Sequence, residues 1–115
     1  MNITHKAIEQ GIRVAIEGRI DTTNYNEFEQ AMNLLFEEKT KAIYLDCSGL
    51  SYISSSGLRV FLTVQKKMMA TGGKFLLFSM QPTIKEIFDI PGFSSIFSIF
   101  DTEESALQLD HPFEE

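Results

Sequence analysis

Residues Ala42–Cys47 read Ala-Ile-Tyr-Leu-Asp-Cys, an almost continuous apolar run. A strand with one wet face alternates apolar and polar residues, whereas a strand that does not alternate is covered on both faces, usually in a sheet packed with helices. The run therefore belongs at the centre of a sheet. A small polar turn is expected after it, then the short apolar pair Tyr52-Ile53, then Ser54-Ser55-Ser56-Gly57 leading into a helical pattern. The first four N–H groups of a helix lack partners inside it and carry partial positive charge, so serines cap that end and a phosphate placed there is stabilised.

The remaining residues supply the elements around this strand. Ile3–Ile8 and Ile12–Ile20 read as a hairpin turning at Gln10-Gly11, with Ile12, Val14, Ile16 and Gly18 alternating against Arg13, Ala15, Glu17 and Arg19. Asp21-Thr22-Thr23-Asn24 offers capping side chains, and Glu27 stands three places after Asn24 as in a capping box. In the helix that follows, Tyr25, Phe28, Met32, Leu35 and Phe36 share a face; Glu27, Glu29, Asn33, Glu37 and Glu38 occupy much of the rest, and Lys39–Lys41 mark its end.

After the serines, Leu58, Phe61, Leu62, Met68 and Met69 keep a helical period, widened by Val60 and Val64, with Gln65, Lys66 and Lys67 on the wetter side. Gly72-Gly73 closes this helix, where φ turns positive. Lys74–Phe78 is another apolar strand. Pro82 suits a first helical position, Thr83 and Glu86 have capping-box spacing, and Ile84, Ile87 and Phe88 form a stripe that stops before Pro91-Gly92. Ile96–Phe100 reads as a last strand, and Asp101-Thr102 with Glu104 opens a final helix containing Ala106, Leu107 and Leu109. The expected fold is α/β, a mixed central sheet of about five strands covered by about four helices, with sites gathering at strand C-termini and helix N-termini.

Composition narrows the function. A chain of 115 residues with 43% hydrophobic residues buries one core, so a single domain is expected over residues 1–110 with a polar tail at 111–115. The apolar runs are short and interrupted by charge, and the first residues lack the plan of a signal peptide, so a cytoplasmic protein is expected, with no membrane partner. A net charge of −6 argues against nucleic acid. Cys47 has no second cysteine to pair with, and His5 and His111 lie near opposite ends, so neither a disulfide, a metal site nor a cofactor is expected. A serine hydrolase would need a base beside its nucleophile and a Gly-x-Ser-x-Gly elbow. A receiver phosphorylated on Asp46 would need an acidic pair after the first strand and a lysine after a later one. Neither set is present.

The element order and several short motifs together resemble the STAS domain family, and within it the stand-alone bacterial anti-sigma factor antagonists. The matching residues are Gly18-Arg19-Ile20-Asp21, Leu45-Asp46-Cys47-Ser48-Gly49-Leu50, Tyr52-Ile53-Ser54-Ser55-Ser56-Gly57-Leu58, Gly72-Gly73-Lys74 and Phe88-Asp89-Ile90-Pro91-Gly92-Phe93. The resemblance implies a partner-switching regulator without enzymatic activity of its own. Unphosphorylated, such a protein binds an anti-sigma factor that is also a GHKL-type serine kinase, and a sigma factor is released. Phosphorylation, implied at Ser55 with Ser56 as the second candidate, ends binding, and a PP2C-type phosphatase restores it.

The partner surface implied by the resemblance comprises Asp21, Thr22, Thr23, Asn24, Ser54, Ser56, Gly57, Arg59, Thr63 and Lys66, on a monomer or weak dimer. Many antagonists carry Asp where Ser54 stands here; Asp21 remains as a neighbouring carboxylate. Each of these residues also has a purely structural reading. Ser54–Ser56 and Asp21 can cap helices, Asp46 can bond turn amides, Gly18 and Gly57 can permit close backbone packing, and Gly72-Gly73-Lys74 is a helix stop rather than a phosphate loop. The rival function is a constitutive STAS interaction module in a transport-related or stressosome-like complex.

Overall fold

The computed structural model describes residues 1–36, 40–90, 92–93 and 95–109. The expected roles of Glu37, Glu38, Lys39 and Pro91, and the tail from Asp110, lie outside them.

The strands are β1 (Asn2–Ile8), β2 (Gly11–Ile20), β3 (Ala42–Ile53), β4 (Lys74–Phe78) and β5 (Ser98–Phe100). The helices are α1 (Tyr25–Phe36), α2 (Ser55–Ala70), α3 (Pro82–Phe88) and α4 (Glu103–Leu109). The strands lie side by side in chain order, with β1 antiparallel to β2 and every later pair parallel. This is the expected mixed sheet, with the apolar β3 in the middle.

Parallel neighbours joined in sequence by right-handed crossovers place all the connecting helices on one face. Along β3, Ile43, Leu45 and Cys47 turn to that face and join Phe28, Met32, Phe61, Val64 and Phe88 in the main core. Ala42 and Tyr44 turn to the other face, where Leu76, Phe78 and Ala106 of α4 form a smaller cluster. Helices thus cover both faces of the central strand, which is why its sequence does not alternate.

Several details depart from the sequence reading. The hairpin turns at Glu9-Gln10, because Ile8 pairs with Gly11. Gly11 is already strand, and a Cβ there would run into the Ala42 carbonyl oxygen. The expected polar turn after Cys47 is instead more strand, since β2 continues as far as Ile20 and offers pairing to Gly49, Leu50, Tyr52 and Ile53. Register shifts absorb the irregularity, and Gly49 permits the approach, its missing Cβ lying 3.0 Å from the Ile16 carbonyl. In α2, Met69 is exposed while Gln65 is buried and donates to the Ile96 carbonyl at 2.8 Å.

Caps also differ. At α3 the N-cap is Gln81 and makes no side-chain cap bond; its amide donates to Ser48 O. At α4 the cap is Thr102, within the expected Asp101-Thr102 opening, and its Oγ1 accepts from Ser105 N at 3.1 Å. At α2 the exit follows expectation: Gly72 has φ of +78° and Gly73 N donates to Met68 O.

On the second face, Arg13 of β2 holds α4. Its guanidinium donates to Glu103 (2.8 and 3.2 Å) and to Asp46 (3.0 Å), with the cation 5.6 Å from the Phe78 ring centre. The hydrogen bond to Glu103, then the two carboxylate charges against the cost of burial, holds the Arg13 proton more tightly than usual. Arg13→Ala leaves the part-buried Asp46 without its cation, and we expect a loss of about 1–3 kcal/mol. Urea denaturation reads the loss, with amide exchange accelerated at Ala106 and not at Phe61. An unchanged midpoint would make the trio a surface ornament.

Candidate interaction site

The site grows from the parallel pairing of β2 and β3. Ile20 pairs with Ile53, and Ser54 N donates to Ile20 O at 2.9 Å, so the β2–α1 and β3–α2 connections start side by side at the carboxyl edge of the sheet. Ser54 is the N-cap of α2. Its φ of −85° and ψ of 172° are extended, its Oγ accepts from Gly57 N at 3.2 Å, and its carbonyl accepts from Leu58 N. The three serines are thereby separated by geometry. Ser54 is buried and occupied, Ser56 is half-buried, and Ser55, the first helical residue, is exposed with no side-chain partner among the described residues.

In the neighbouring β2–α1 connection, Asn24 closes back on Asp21. Asp21 N donates to Asn24 Oδ1 at 2.8 Å, while Asp21 Oδ1 accepts from Thr23 N (2.9 Å) and Thr23 Oγ1 (2.6 Å). The Asn24 side chain on the Asp21 N–H is one half of a capping box, three residues earlier than the Asn24/Glu27 spacing suggests, while the Asp21 carboxylate takes the Thr23 N–H. The Asn24 amide also donates to Arg19 O, tying the turn to the end of β2. The Thr23 hydroxyl first, then its amide, holds the Asp21 carboxyl below the usual range against a small opposing effect of burial, with Arg19 adding to the shift. A depressed carboxyl stabilises the fold above its unfolded-state value; that contribution disappears as pH falls through the depressed one.

Thr22 and Thr23 are exposed beside this turn. Along α2, Arg59 and Lys66 are exposed, and Thr63 is half-buried with its hydroxyl donating to Arg59 O at 3.0 Å. Cys47 takes no part: its thiol is fully buried, and desolvation, followed by the Asp46 charge, pushes its ionisation far above the ordinary range.

A family model described as the STAS domain matches residues 3–106. The chain belongs to the STAS domain family. BtrV of Bordetella bronchiseptica, named as a candidate anti-sigma factor antagonist, is 31% identical over 92% of this chain and 91% of its own length. Among solved structures, an anti-sigma factor antagonist from Mycobacterium paratuberculosis superposes with a TM-score of 0.83 at 22% identity, covering 94% of this chain and 93% of that one. The Bacillus cell-fate determinant SpoIIAA in its phosphorylated form gives 0.74 at 19%, covering 96% and 100%. At those identities the structural likenesses speak for the fold.

In this STAS domain the sequence reading missed two residues beside the helix start. The Arg19 guanidinium stacks over the Tyr52 ring at 4.2 Å and reaches to 3.9 Å from Asp21 Oδ2. Both side chains are substantially exposed, Tyr52 at 40%. The signal lay in the register, since Arg19 and Tyr52 are paired strand neighbours, and register is invisible in either segment alone.

Gly57 is the position where α2 rests on the strand ends. A Cβ there would lie 2.8 Å from both Ile20 Cγ2 and Ile53 Cγ1. Gly57→Val is therefore expected to cost about 1–3 kcal/mol by overpacking and to displace the Ser54–Ser56 turn. Thermal melting gives the first and amide chemical shifts at Ser54–Leu58 the second; unmoved shifts would show that the turn does not depend on this contact.

Proposed function

We propose that this STAS domain is a cytoplasmic anti-sigma factor antagonist switched by phosphorylation of Ser55. The observation that carries the reading is the division of labour among adjacent serines: Ser54 caps and is buried, while the Ser55 hydroxyl stands exposed at the first position of α2. The name borne by the 31% identical BtrV supports the same reading and disfavours the constitutive module. Unmodified, the protein binds an anti-sigma factor, a GHKL-type serine kinase, and a sigma factor is freed. The surface used is Asp21–Asn24, Ser54, Ser56, Gly57 and the outer side of α2 at Arg59, Thr63 and Lys66, presented by a unit of residues 1–110.

In the modification step the γ-phosphoryl group of ATP passes to Ser55 Oγ in the kinase site, the hydroxyl proton leaves to a kinase base, and ADP is the leaving group. The chain itself performs no catalysis. Phosphate adds about −1.5 to −2 charges and three acceptor oxygens. The helix N-terminus tolerates them, but a close-packed partner surface would have to desolvate them. Binding is lost without a change of fold, and a PP2C-type phosphatase restores it by hydrolysis.

Calorimetric titration of the anti-sigma factor with the unmodified and the Ser55-phosphorylated protein tests this. We expect a tight complex with the first only. Equal affinity would refute the switch.

A further inference from the structure

The outer face of α2 carries cations and exposed apolar side chains without an acid. Ser55, Arg59, Leu62, Lys66 and Met69 fall within an arc of about 80° on a helix advancing 100° per residue, and over 16 residues the face runs about 24 Å. Arg59 and Lys66 are exposed, Met69 is 66% exposed and Leu62 is half-buried. No acid occurs anywhere in α2, in a chain whose net charge is −6.

The arginines differ in availability. Arg13 is held by Asp46 and Glu103, and Arg19 by Tyr52 and Asp21. Arg59 has no side-chain partner among the described residues, and it stands four residues after Ser55, the spacing at which an anion followed by a cation pairs along a helix.

We infer that this face of α2 docks an acidic, partly apolar surface of the anti-sigma factor, and that Arg59 is the residue through which phosphate on Ser55 cancels the attraction. The inference rests on the antagonist reading and gives its partner a charge. Arg59 and Lys66 present two positive charges along the face; a phosphate of about −1.5 to −2 brings their sum close to zero and pairs with the nearer one. Charged side chains arranged this way suppress wrong partners and fix register along the helix.

Affinities of the anti-sigma factor for wild type, Arg59→Glu, Lys66→Glu and Lys6→Glu decide the matter, with melting curves to confirm folding. Lys6→Glu carries the same change of net charge on β1, away from α2. We expect Arg59→Glu and Lys66→Glu each to bind at least about tenfold more weakly, and Lys6→Glu to bind within about threefold of wild type. If wild type binds and all three variants bind equally, the acidic-partner inference fails while the antagonist reading stands. If wild type does not bind, both fall. Binding of wild type, and not of Arg59→Glu, to phosphatidylglycerol vesicles would assign the face to a membrane surface and overturn the inference.

A second measurement needs no partner. In protein carrying phosphoserine at position 55, phosphorus NMR is expected to show an acid constant at least roughly twofold larger than in the same protein with Arg59→Gln. Identical titrations would remove Arg59 from the mechanism.

Discussion

Ser55→Asp is expected to weaken binding to the anti-sigma factor by about 100-fold or more, while Ser55→Ala binds within about threefold of the unmodified protein and resists release by ATP. Full phosphorylation should do more, because moving a complex from mostly bound to mostly free takes roughly 5 kcal/mol, or nearly 10⁴-fold. Aspartate carries one charge and lacks the phosphate's third oxygen, so it reproduces part of the effect. The fold supplies its own control. An acid at the first position of α2 faces unpaired N–H groups, so Ser55→Asp should melt at the same temperature as wild type or slightly above it. Weak binding together with a lowered melting temperature would point to damage rather than to a switch.

Phe61→Ala has the largest expected effect on stability. Phe61 is fully buried on α2, with ring centres 5.3 Å from Phe28, 6.1 Å from Phe75, 5.5 Å from Phe88 and 6.5 Å from Phe97. It joins α1, β4, α3 and the segment before β5 around one side chain. Truncation removes transfer energy and leaves a cavity whose walls belong to four elements that cannot all collapse at once. We expect a loss of about 3–5 kcal/mol. Against a total of about 5–15 kcal/mol for a domain of this kind, the variant would be marginal at best. Chemical denaturation gives the number, and a loss under about 1.5 kcal/mol, the range of volume-conserving swaps, would show that the cluster repacks. α2 carries both this anchor and Ser55, so the proposed phosphorylation site sits on a helix packed into the main core.

How far the sequence could be read depended on the range of the interaction involved. The alternation of Ile12, Val14 and Ile16 and the unbroken apolar run through Leu45 are local consequences of burial, and both strands lie where those patterns put them. Gly72 at the end of α2 and Pro82 at the start of α3 act through their own backbone geometry, and they too were visible. Ser48–Ser51 looks like a turn because Ser48, Gly49 and Ser51 are turn formers. The neighbouring β2 overrode that preference by continuing alongside.

Its polarity assigns Gln65 to the wetter side of α2, yet it is buried and its amide donates to a loop carbonyl 31 residues away. The Asp21/Asn24 pair and the Arg19–Tyr52 stack were missed for a related reason: each depends on which of several competent side chains comes within reach once the strands are paired. Of the candidate site, the serine run and its helix were legible. That Ser54 is spent as the cap and that Ser55 is the most exposed of the three was not, because that required the cap geometry and the burial of each.

Incubating the purified protein with the anti-sigma factor and ATP, then mapping phosphate by mass spectrometry on the tryptic fragment Ala42–Arg59, decides whether Ser55 is the acceptor. That fragment contains every serine from Ser48 to Ser56. We expect phosphate on Ser55, absent from Ser55→Ala, appearing as the complex dissociates. Phosphate on another serine, or a complex that persists while Ser55 is modified, would contradict the switch at Ser55.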